Sequence, residues 1–147
     1  MQIFSVAGDR VTILLAGDET NGAYTIMECL VPPGGGPPPH LHHREDEGFL
    51  VITGEITFYL GGKIILLKSG EYLSAPREIP HHFKNTGLNE ALVIETATPS
   101  GIERFFEASG APLQSRTDQP LPFGPADIAH MIAIAPEYGI DILTTRP

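Results

Sequence analysis

The chain has 147 residues, a net charge of −9, 16 glycines, 14 prolines and one cysteine. That length is one domain. The acidic balance excludes a basic nucleic-acid footprint, the glycine and proline share argues against a helical bundle, and a single Cys29 excludes an internal disulfide framework or a cysteine-based zinc knuckle.

From the N-terminus to about residue 98 the chain reads as short β-strands. Residues 11–16 and 23–31 are rich in β-branched side chains and bounded by Gly, Asp and Asn. Residues 32–39, Pro-Pro-Gly-Gly-Gly-Pro-Pro-Pro, form a loop, because proline cannot donate to a sheet ladder. This loop is expected to be a functional rim that fixes the direction of the following strand. Residues 49–52 and 56–60 are apolar runs around the turn signal Thr53-Gly54-Glu55, and Gly61-Gly62 closes a hairpin onto residues 63–68. Residues 71–75, 81–85 and 91–97 complete the set. Many evenly spaced strands without intervening helices indicate a β-sandwich or barrel.

The pattern changes after Pro99. Ile102, Phe105, Phe106 and Ser109 share one helical face, with Ser100 as the expected N-cap, Glu103 completing a capping box and Gly110 as the stop. Residues 111–124 read as irregular, residues 127–135 as a second helix ended by Pro136, and residues 138–143 as a tail that docks on the barrel. The organisation expected is a barrel over residues 1–98 with a helical extension over 99–147, a single domain overall. No apolar run approaches the roughly 20 residues that cross a bilayer. Met1-Gln2-Ile3-Phe4 lacks the basic opening of a secretory leader. The reading therefore expects a soluble, cytoplasmic protein without membrane or nucleic-acid partners.

The histidines concentrate in His40, His42, His43 and in His81, His82, and the first group runs into Glu45-Asp46-Glu47. On an extended chain His40 and His42 share a face, while Leu41 and His43 point away. Imidazoles and a carboxylate converging inside a barrel suit Fe, Mn, Ni, Cu, Co or Zn. The spacing is more specific than the histidines alone. Gly34, five residues, His40-Leu41-His42, four residues, Glu47, six residues and Gly54 make a first motif; Gly70, five residues, Pro76, then His81, three residues and Asn85 make a second.

Together these two motifs resemble those of the cupin superfamily, and the Gly-Gly-Gly-Pro-Pro-Pro-His lead-in is similar to a quercetin dioxygenase-like group of small single-domain bacterial cupins. The resemblance is strong over about residues 23–97 and looser beyond. It implies an all-β fold, a double-stranded β-helix or jelly-roll barrel with one or two short C-terminal α-helices. It also implies one divalent transition metal per chain on His40, His42, Glu47 and His81, with open positions for water, O2 or substrate, and a second role for Glu47 as a catalytic base. One departure is Glu78, where the second motif usually has glycine two residues after its proline.

The function so implied is a metal-dependent, dioxygenase-like oxidoreductase acting on a small organic substrate, aromatic ones included. The alternatives are a non-catalytic metal or small-molecule binding cupin and a cupin isomerase or decarboxylase. His43 and His82 are expected to face outward or to support a ligand, His130 to be structural, Cys29 to be a buried inert thiol, and Glu45 and Asp46 to form a solvated turn. Phe49, Phe58, Tyr59, Tyr72 and Phe83 are candidates for an aromatic pocket wall. A homodimer is expected, with residues 3–6 offered to a partner's sheet edge.

Overall fold

A computed structural model describes residues 1–143; residues 144–147, the end of the expected extension, lie outside the described part. The strands in chain order are β1 (Ile3–Val6), β2 (Asp9–Leu15), β3 (Thr25–Val31), β4 (His40–His42), β5 (Asp46–Thr53), β6 (Glu55–Leu60), β7 (Lys63–Lys68), β8 (Tyr72–Ala75), β9 (His81–Lys84) and β10 (Ala91–Thr98). Then come α1 (Ile102–Ser109), β11 (Ala111–Pro112), α2 (Pro125–Ile134) and β12 (Ile140–Ile142). They build two antiparallel sheets, ordered β11-β1-β2-β3-β10-β5-β8 and β12-β4-β9-β6-β7. This is a jelly-roll barrel, the double-stranded β-helix that the motifs imply.

Strict alternation sets the inner face. In β3, Thr25, Met27, Cys29 and Val31 are buried while Ile26, Glu28 and Leu30 are only partly covered. In β10, Ala91, Val93, Glu95 and Ala97 are the buried phase. Phe49, Phe58 and Phe83 meet between the sheets, with ring centroids 4.9 to 5.8 Å apart, and form the aromatic centre of the core. The chain changes sheets at Gly54, which lies at φ +78°, and a Cβ there would come within 2.9 Å of the Ala91 Cα. Gly61 and Gly62, both at positive φ, close the β6–β7 hairpin as the sequence indicates.

Three local expectations are corrected. Gly101, not Ser100, caps α1, and no side chain caps that end. Glu103 does reach back, but it ties the helix to the barrel, accepting from the Gly101 N–H at 2.8 Å, the Gly17 N–H at 2.7 Å and the Thr25 hydroxyl at 2.7 Å. The second helix starts earlier, with Pro125 in its first turn, where the missing N–H has no intrahelical partner to lose. Within residues 111–124, the short β11 pairs with Phe4 and Ser5 of β1. The edge of β1 that the sequence offered to a partner chain is thus filled from within.

Candidate metal centre

His40 and His42 stand two apart on β4, Glu47 on β5 of the other sheet and His81 on β9. All are buried. β4 and β9 are register partners at His40 and His81, so alternation delivers all three imidazoles to one point on the inner face. One ligand atom from each of these four residues lies within 4.8 Å of the others. A common centre at metal-bond distance, roughly 2.0–2.2 Å, then needs only small side-chain adjustment. His42 Nε2 and His81 Nε2 are 3.0 and 2.8 Å from Glu47 Oε1. His42 Nε2 nevertheless has no hydrogen-bond partner, although it is fully buried.

The other nitrogen of each ring is occupied. His40 Nδ1 donates to the Pro38 carbonyl at 2.9 Å, His81 Nδ1 to the Ile79 carbonyl at 3.1 Å, and His42 Nδ1 to Glu45 Oε1 at 3.1 Å. Donation at Nδ1 leaves Nε2 as the lone-pair end and fixes each ring plane, the arrangement in which histidine ligates a metal. The donor set of imidazoles plus a carboxylate fits a divalent first-row ion, and could hold one here.

Electrostatics follow from the packing. Burial, with His42 and His81 beside it, pushes the His40 pKa down to about 3, so its ring stays neutral. Burial, the largest single influence, also opposes charge on His42. The nearby Glu47 charge and the hydrogen bond to Glu45 together outweigh it and push His42 up to about 10. Glu47 is driven below the usual carboxylate range against its own burial, by His42 and His81. Glu95, buried beside Glu47, goes the other way, because burial and the neighbouring carboxylate both disfavour its charge.

His40, His42 and Glu47 face a cavity of about 60 Å³. Its walls include Phe49 and Phe83 from the barrel, Pro37 and Pro38 from the loop before β4, and Ile102, Phe105, Phe106, Met131, Ile140 and Ile142 from the C-terminal elements. Of the proposed aromatic wall, Phe58 packs behind this cavity in the core, Tyr59 stacks outward on His82 with centroids 4.4 Å apart, and Tyr72 is 60% exposed. Residue parity explains Tyr59, since Phe58 takes the inward face of β6. Tyr72 lies on the outer face of the edge strand β8, over Gly48 of β5.

The loop is anchored just beyond β9 by Gly34 N–H to the Asn85 carbonyl at 2.8 Å and Asn85 N–H to the Gly35 carbonyl at 2.9 Å. Gly36, at φ +135°, leaves no room for a Cβ, which would run into the Phe83 carbonyl.

His43 points outward between Glu78 and Asp141, at 2.9 and 2.8 Å. His130 reaches from α2 to the Ala108 carbonyl at 3.3 Å. Cys29 is buried, and burial with the surrounding carboxylates pushes its thiol up, so it is inert. Glu45 is the correction in this region. It is 3% exposed and holds His42, whereas Asp46 is solvated and pairs with Arg77 at 3.1 Å. Asp9 and Glu95 are further cavity residues that the sequence reading missed. Their signal was strand parity, since Asp9 is in phase with Val11 and Ile13, and Glu95 with Val93 and Ala97.

Residues 27–96 match the cupin domain family. Quercetin 2,3-dioxygenase of Bacillus subtilis (strain 168) is 27% identical over 110 residues, which are 74% of this chain and 32% of that protein. The chain therefore spans about a third of that relative's length. An oxalate oxidase solved in complex with glycolate is 28% identical, with a TM-score of 0.55, over 65% of this chain and 53% of that one. The structure of KdgF from Halomonas sp. superimposes with a TM-score of 0.59 at 22% identity, over 66% of this chain and 84% of that one, a likeness of fold. No helix among the described residues is long and apolar enough to cross a membrane. With its two spaced motifs, its jelly-roll barrel and this inner-face His/Glu cluster, the chain carries a cupin domain over residues 27–96.

Proposed function

We propose that the protein binds one divalent transition metal on His40, His42, Glu47 and His81 and uses it as a dioxygenase-like oxidoreductase on a small organic substrate. The observation that supports this reading is the convergence of four buried donors whose histidines are all hydrogen-bonded at Nδ1. A metal in this position supplies Lewis acidity and a template for orienting bound groups. The chain's own contributions are distinct. His40, His42 and His81 would turn Nε2 to the metal, His42 after giving up a proton, Glu47 would supply one negative charge, and Phe49, Phe83, Phe105 and Phe106 line the cavity with apolar surface. A second role for Glu47, as a base toward a bound substrate, is part of this proposal; His42 and His81 hold its carboxylate ionised.

Metal analysis by mass spectrometry should give close to one ion per chain. His42→Ala or His81→Ala should abolish it, while His43→Ala and His130→Ala should retain it. An O2-uptake screen over small enolic and aromatic compounds should then find turnover. Metal binding without any O2 consumption would instead favour a binding module. A homodimer is also proposed, now through the edge strand β7, where Ile64 is 72% and Leu66 46% exposed. A monomer mass by light scattering at micromolar concentration would remove it.

A further inference from the structure

The cavity beside the metal cluster has two unlike walls. Its imidazoles and carboxyls, His40, His42, Glu47, Asp9 and Glu95, all stand on strands of the barrel. The elements after residue 98 supply Ile102, Phe105 and Phe106 from α1, Met131 from α2, and Ile140 and Ile142 from β12. None of these six side chains carries a hydrogen-bond donor, and the Met131 thioether is their one weak acceptor. The match to the cupin domain ends at residue 96. This apolar cap is therefore what the chain adds to the shared barrel.

Register and helix period place the cap against the site. Directly opposite residues of an antiparallel pair share a face. Ile140 is opposite His42 and Ile142 opposite His40, so both isoleucines project to the inner face beside the histidines. Ile102, Phe105 and Phe106 recur at i, i+3 and i+4, the spacing that turns one stripe of α1 toward the barrel. Ile102, Phe105, Met131 and Ile140 are buried, whereas Phe106 and Ile142 are half-buried. The last two can therefore be changed with the least loss of core.

We propose that the C-terminal elements are the specificity-determining wall of the site, with Phe106 and Ile142 limiting its depth. The ligand they select is a compact molecule with a metal-binding oxygen head and a body of a few apolar carbons. This proposal rests on the metal reading above. Two observations carry it. A polar group of the ligand placed under the cap loses water and finds no side-chain partner there, so hydrocarbon is what that wall accepts. The cavity of about 60 Å³ holds about five water-sized groups at roughly 10–15 Å³ each, so a head and a short body fill it. A longer chain or an added ring has to displace the cap.

The test uses the full-length protein loaded with cobalt(II), whose visible absorption reports changes in coordination. Acetohydroxamate, propionohydroxamate, octanohydroxamate and benzohydroxamate share one chelating head and differ only in the body. Wild-type protein should bind the two short members about 10-fold or more tightly than the octanoyl and benzoyl ones, since forcing extra carbons into a packed space is unfavourable. Phe106→Ala vacates the volume of a phenyl ring. It should raise benzohydroxamate affinity by about 10-fold or more and leave acetohydroxamate within a few fold. Ile142→Ala should shift the preference the same way, toward the longer chain. Affinity that climbs steadily to octanohydroxamate in the wild type, an unchanged preference in both variants, or no spectral response to any of the four would overturn the proposal. Cobalt content is measured first. A protein that takes up no cobalt fails the metal reading and this proposal together, whereas one that takes up cobalt and favours the bulky bodies fails only the proposal.

Discussion

Glu45 Oε1 lies 3.1 Å from His42 Nδ1, and both side chains are almost completely buried, so a residue three positions along the chain fixes the ring that faces Glu47 on its other side. Removing Glu45 leaves every proposed ligand in place and frees the His42 ring to rotate. Glu45→Ala should therefore keep metal stoichiometry while weakening affinity by about 10- to 100-fold, the usual loss when the support of a metal-bound histidine is removed. Competition against a chelator of known affinity measures it. Unchanged affinity would mean that packing alone orients His42.

His42 also sets a pH dependence. In the metal-free protein its pKa stands at about 10, raised by Glu47 and Glu45 against its burial. A raised histidine contributes stability that is fully present below its unfolded value and is lost as pH rises through the folded one. Metal-free protein should thus lose this contribution between pH 6.5 and about 10. Metal must displace the same proton, so uptake at pH 7 should release about one proton per ion, and affinity should rise as pH increases. Titration calorimetry in buffers of different ionisation enthalpy counts the protons. A count of zero would show that His42 is already neutral.

The loop before β4 places Gly36 where only hydrogen fits against the Phe83 carbonyl. Gly36→Ala must push the loop off β9, and with it the Pro38 carbonyl that holds His40. The barrel core is untouched, so the fold should persist while metal affinity falls by about 10-fold or more. Circular dichroism and chelator competition on the same sample separate the two effects.

Glu78 occupies the left-handed region at φ +69°, with its N–H bonded to the His42 carbonyl at 2.8 Å. The family pattern puts glycine here, and the backbone shows why. Glu78→Gly and Glu78→Ala both lose the exposed contact with His43. Only the alanine retains the steric cost of positive φ. The glycine variant should be the more stable of the two by about 1 kcal/mol, read from urea denaturation. Equal stabilities would show that the turn relaxes freely.

Strand parity made much of this molecule legible in advance. His40 and His42, separated by Leu41, declared a shared face, and their spacing to Glu47 and His81 declared the barrel that joins them. Gly61-Gly62 declared its hairpin. What parity could not give was which sheet face turns inward, so Tyr59 and Tyr72 stood beside Phe49 as equal candidates. Glu45 was missed for a different reason. It belongs to a turn, where side-chain direction depends on backbone angles that no period encodes, and three adjacent acidic residues look solvated in composition. Asp9 and Glu95 were missed because a carboxylate on a strand is ordinarily on the wet face. The edge of β1 is another case, since its partner β11 is a two-residue strand in a stretch that reads as irregular.

The ligand-bearing strand β4 has a single register pair with β9, at His40 and His81, but three with β12, where Ile140 faces His42, Asp141 faces Leu41 and Ile142 faces His40. The main sheet neighbour of the site therefore comes from about a hundred residues further along the chain. β4 and β12 then form one cooperative opening unit, in which the tail cannot peel away without exposing the histidines and the histidines cannot be drawn together without docking the tail. Occupancy at the centre should therefore slow amide hydrogen exchange in residues 140–142, by the mass-action gain that any ligand confers on the state it binds.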